Sequence, residues 1–150
     1  MATFHFRLAT LLRLREADRD ERRAQLSDAQ QAEAIVAARV GEIDREIGLI
    51  RLLGQHATAP GKVDVDQLLD MQRYDTQLKL ERDAAEDQRQ KIEQEVERRL
   101  ERAIAADREV RILEKLRESQ SERHRHEEEK VEQKRFDELA GQLAFYREES

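Results

Sequence analysis

The chain of 150 residues contains no cysteine and no tryptophan, a single proline and five glycines, and only 4% of its residues are aromatic. Without cysteine it has no disulfide, no thiolate nucleophile and no zinc-thiolate site, which fits a reducing compartment. With so few aromatics and 41% charged side chains, against roughly 25% in an ordinary globular domain, a compact multilayer core is not expected. No run approaches the ~18 apolar residues of a membrane span. The N-terminal "MATFHFRLATLLRLREADRDE" is broken by Arg7, Arg13 and Arg15 and does not resemble a secretory signal.

Several chemistries are excluded in the same way. The glycines, Gly41, Gly48, Gly54, Gly61 and Gly141, never form GxxxxGK[ST], so a phosphate-cradling loop is absent. His124 and His126 are two apart and face different sides of a helix, unlike the i, i+4 pair of a zinc helix. They read as solvated members of a charged run. No cofactor or metal is called for. The 34 acids outnumber the 28 bases, for a formal charge of -6, so there is no net basic footprint for nucleic acid. Acids spaced along a solvated helix lack the shielded pocket that general acid-base catalysis requires, and an enzyme is not expected.

What is abundant is helix-forming: Ala, Glu, Lys, Leu and Arg make up 85 of the 150 residues. That bias with helical periodicity marks long helices or coiled coil. Leu26, Ala29, Val36, Val40, Ile43, Ile47 and Ile50 recur at alternating steps of 3 and 4, with Glu33 as the polar interruption. Upstream, the register meets the charged "READRDERR" from Arg15, then Leu12 and Leu8. A second seam runs through Leu68, Met71, Leu78, Ala85, Ile92, Val96, Ala103, Ala106, Val110 and Leu113. Arg82, Arg89 and Arg99 fall on it, their long stems able to lie along the interface with the charge at its rim.

Pro60 lies in "GQHATAPGKVD", Gly54 to Asp64, the one stretch rich in helix breakers. It predicts a first helix over about 4–53, a loop over about 54–63 and a second helix over about 64–147, with Gly54 ending one helix and Asp64 or Asp66 capping the next. The fold class is all-α: one domain, 1–150, made of two long helices in an antiparallel coiled-coil hairpin. With the turn centred near residue 58, Phe4 is expected level with Ile112, and the second helix overhangs by ~50 Å at ~1.5 Å per residue. The overhang carries Leu113, Leu116, Val131, Phe136, Leu139, Leu143, Phe145 and Tyr146, apolar surface of the kind that marks an interaction site.

Three stretches, "FHFRLATLLRLRE" at Phe4 to Glu16, "REVRILEKLRE" at Arg108 to Glu118 and "EQKRFDELA" at Glu132 to Ala140, resemble the FliJ family of bacterial flagellar export proteins, and the likeness spans essentially the whole chain. The resemblance implies a non-enzymatic stalk. One end would dock into the flagellar export ATPase hexamer, and the stalk would link that ring to the membrane export gate protein. Escort of export chaperones is implied too, as is a cytoplasmic place at the inner membrane, reached only through partners. Carried onto this sequence, the ATPase-binding residues are Phe4, Phe6, Leu8, Leu11, Leu12, Glu132, Gln133, Lys134, Phe136, Asp137, Leu139 and Ala140, and the gate-binding residues are Tyr74, Leu78 and Ala85. A monomer with weak self-association is expected. A generic scaffold self-associating through the overhang, or the equivalent stalk of a virulence type III system, remains an alternative.

Overall fold

A computed structural model describes residues 3–58, 61 and 63–150. Two long helices account for nearly all of them: α1, Ala9–Ala57, and α2, Val65–Glu148. No strand occurs among the described residues. The two helices pack on one another as a hairpin, and α2 is the longer.

The ends of α1 differ from the sequence expectation. It starts at Ala9 rather than near residue 4, because Phe4, Phe6 and Leu8 are half-buried while His5 and Arg7 are exposed. That period of two belongs to an extended segment, not a helix. It also runs past Gly54 to Ala57, where Thr58 donates its backbone N–H and its hydroxyl to the Gly54 carbonyl, at 3.2 and 3.1 Å. The Thr58 hydroxyl also reaches the Gln55 carbonyl at 3.1 Å, satisfying acceptors that a helix terminus leaves open. Gly61 takes φ 122°, a conformation that side chains with a Cβ rarely adopt. Pro60, the expected loop breaker, lies outside the described residues. Asp64 then caps α2, its Oδ1 accepting from the backbone N–H of Asp66 at 3.1 Å and Gln67 at 3.4 Å.

The chain divides into two compact units. In the first, residues 20–104, Ile43, Ile47 and Leu78 form a buried cluster flanked by Ile50 and Ala85. Ala29, Val40 and Ala103 are buried as well. The expected seam arginines, Arg82, Arg89 and Arg99, are half-buried beside them. Arg82 pairs with Asp44, which holds its guanidinium above the ordinary arginine pKa by hydrogen bond and by charge. Arg99 donates Nη1 to the Gln25 carbonyl at 2.7 Å and Nε to Glu95 at 3.0 Å, and that second bond holds Glu95 below the usual carboxylate range.

In the second unit, residues 1–19 and 105–150, Leu12, Val110 and Leu113 make a small core against which Phe6 and Leu8 pack. Arg15 pairs with Glu109 at 3.0 Å, so the charged gap in the stripe is bridged across the helices. The Phe4 ring lies 5.7 Å from that of His124, whereas the expected level was Ile112. Two causes add: α1 continues to Ala57, so the turn falls later, and an extended segment climbs ~3.3 Å per residue against ~1.5 Å in a helix. Leu113, expected in the overhang, is therefore core. Every residue over 129–150 is exposed.

The core is thin, since only Ile43 and Val110 fall below 2% exposure among the buried side chains. Ile43→Ala is expected to cost about 2–5 kcal/mol in denaturant unfolding followed by circular dichroism, while Ile35→Ala, at 70% exposure, should stay within about 0.5 kcal/mol. At Gly48 a Cβ would meet nothing within 4 Å. Gly48→Ala is accordingly expected to stabilise the hairpin by up to about 1 kcal/mol, read as a raised Tm.

Candidate partner-binding surfaces

The residues expected to bind an ATPase divide into two groups with different surroundings. Phe4, Phe6 and Leu8 are half-buried, the first against His124 and the others against the Leu12 cluster. Leu11 is exposed, but Leu12, at 4% exposure, belongs to the core and offers no free surface. Glu132, Gln133, Lys134, Phe136, Asp137, Leu139 and Ala140 are all exposed on α2. Phe4 at His124 lies two helical turns or more from these residues, ~12 Å short of Glu132 at the helical rise. The two groups therefore form separate surfaces rather than one.

The α2 surface has a definite face. At 100° per residue, Phe136, Leu139, Leu143 and Tyr146 project to one side, and Phe136 is 74% exposed. Phe145 projects to the opposite side, at 60% exposure. Lys130, Val131, Gln133, Lys134 and Asp137 line a shallow surface depression on the other side of α2 from the Phe136 stripe. Its aliphatic member is flanked by two amines and one carboxylate, a mixture suited to orienting a charged partner.

Tyr74, Leu78 and Ala85 likewise have different surroundings. Leu78 is core at 3% exposure, and Ala85 packs against the same cluster, so neither is free to meet a partner. Tyr74 alone projects outward, 49% exposed, its hydroxyl donating to Glu46 Oε2 at 3.3 Å. The Glu46 carboxylate raises the phenol pKa, chiefly by repelling the phenolate and also by holding the proton in that bond.

His124 departs from the expected solvated histidine. It is half-buried, in contact with Phe4, and its Nε2 sits 3.2 Å from Glu128 Oε1. His126 is exposed, 3.8 Å from Glu129. Among the described residues no group of three or more His, Asp or Glu side chains is placed to hold a metal ion. Among the same residues no helix is long and apolar enough to cross a membrane.

Among the described residues, the exposed apolar side chains of α2 with charged neighbours are surface of the kind that marks an interaction site. The family model described as Flagellar FliJ protein matches residues 4–149, and the chain belongs to that family. It is thus related to flagellar protein export, as one of a family of non-catalytic export components. No curated protein matches it, and no solved structure does.

The Tyr74 contact is open to a direct test. In a spectrophotometric titration, Glu46→Gln is expected to return the Tyr74 midpoint downward, toward that of a free tyrosine, because removing the anion removes the repulsion on the phenolate. Tyr146→Phe as background leaves Tyr74 as the sole phenol, since the chain has two tyrosines.

Proposed function

We propose that this chain is a non-enzymatic stalk and escort of the flagellar export apparatus, acting as one hairpin domain. The Phe136, Leu139 and Leu143 face of α2 docks against the flagellar export ATPase hexamer, with Lys134, Arg135, Asp137 and Glu138 setting approach and orientation. The extended Phe4 to Leu8 segment braces α2 next to that surface rather than forming part of it. Around Tyr74 lies the contact to the membrane export gate protein, and the same hairpin hands over export chaperones. The protein works on the cytoplasmic face of the inner membrane, held there by its partners.

One observation supports this reading above the others. Residues 129–150 stay helical almost to the end while every one of them is exposed, with large apolar side chains along them. Isolated helices gain little without packing an apolar face, and burying one such side chain is worth about 1.5–3 kcal/mol. A partner that covers this face recovers that free energy, and the family is one of export components.

The double variant Phe136→Ala, Leu139→Ala is expected to weaken binding to the purified export ATPase at least tenfold, a loss of about 1.4 kcal/mol or more. Helix content by circular dichroism should hardly change, because both side chains are exposed. Undiminished binding, or a collapse of helicity, refutes the assignment.

A further inference from the structure

The hairpin seam uses one side of α1, and the other side is also patterned. Ala34, Ala38, Gly41, Arg45, Gly48 and Leu52 recur at alternating steps of 4 and 3, the spacing of a coiled-coil seam. Ile35, Leu49 and Leu53 flank that stripe. Leu49, Leu52, Leu53 and Ile35 are between 55% and 70% exposed, so four large aliphatic side chains stand in solvent on a face that the hairpin does not use.

The glycines on this face serve no packing need of the hairpin. A Cβ at Gly48 would touch nothing within 4 Å, and one at Gly41 would meet only the flexible end of Arg45, at 3.8 Å. Each nevertheless weakens the helix relative to alanine. Glycine at two seam positions permits another helix backbone to come close.

Charge identifies the occupant. Glu42 and Arg45 are the charged residues at the middle of the face. Arg45 folds back so that its Nε donates to the Gly41 carbonyl at 3.3 Å, and Glu42 rests 3.6 Å from Arg39. A two-fold axis passing beside Ile43 and Asp44 would bring Glu42 of one copy opposite Arg45 of the other, twice. The same axis sets the small Ala38 and Ala34 opposite Leu49 and Leu53, and brings Ile35 opposite Leu52 as an aliphatic pair. A parallel arrangement would instead oppose Arg45 to Arg45 and Glu42 to Glu42. Such self-complementarity is what an isologous interface requires.

We infer that the outer face of α1 between Ala34 and Leu53 is a self-association surface, on which a second copy of this chain packs antiparallel. The contact is ~30 Å long at the helical rise and rich in small residues, so it buries little area and is reversible. It makes no use of the C-terminal face of α2.

Sedimentation equilibrium of the full chain over a wide concentration range tests this. The mass is expected to rise from one chain to two. Leu49→Glu should abolish the rise, as should Gly48→Leu, which adds a side chain where the single hairpin has open space. Arg45→Glu and Glu42→Arg should each lose the dimer, and the chain carrying both reversals should regain it. All four substitutions are outside the hairpin seam, and unchanged helix content by circular dichroism confirms that folding survives. A mass of one chain at every concentration overturns the inference. So does a dimer that survives Leu49→Glu but is lost in Leu143→Glu, and so does a doubly reversed chain that stays monomeric.

Discussion

Neither helix of this protein can bury its aliphatic stripe without the other, and every other feature follows from that dependence. The stripe on α1 is closed by the stripe on α2, in one place by Ile43, Ile47 and Leu78 and in another by Leu12, Val110 and Leu113. No charged or polar side chain is buried among the described residues. Charge enters the seam at its rim, through Arg82 with Asp44, Arg39 with Glu81, Arg15 with Glu109 and Arg99 on the Gln25 carbonyl. Exposed pairs of this kind contribute little individually, so they shape the pairing more than they stabilise it. A seam this narrow leaves most of each helix surface in water.

The sequence discloses most of the seam because heptad spacing is a local property. Residues assigned to it, from Leu26 to Ile50 and from Leu68 to Leu113, all lie buried or half-buried, and even Arg82, Arg89 and Arg99 are not fully exposed. The misplacements arise where the physics is not periodic. Alternating Phe4, Phe6 and Leu8 fit an extended segment as well as a helical one, and only the packing against Leu12 and His124 decides between them. The level at which the two helices meet depends on where the turn falls, and Thr58 extends α1 by supplying acceptors' partners that Gly54 alone would not.

The candidate surfaces were legible to a different degree. Phe136 and Leu139 stand in solvent where a docking face was expected. Leu12 and Leu78 were assigned to partners, yet both serve the hairpin's own core. An apolar residue on a coiled coil has two possible uses, filling the seam or meeting another molecule, and sequence spacing near a phase slip cannot separate them. Tyr74 stands outside the seam because an aromatic with a hydroxyl seldom fills so narrow a space, and its hydroxyl bonds Glu46 at the rim.

Heptad patterns have a weakness of their own: shifted by seven residues, aliphatic meets aliphatic again, and the alignment is nearly degenerate. The bond from Arg99 to the Gln25 carbonyl removes that degeneracy. After a shift the guanidinium would leave that acceptor and face whatever the next turn presented, with part of its desolvation left uncompensated. The arginine thus acts as a detent, holding a ruler of repeated marks at a single reading.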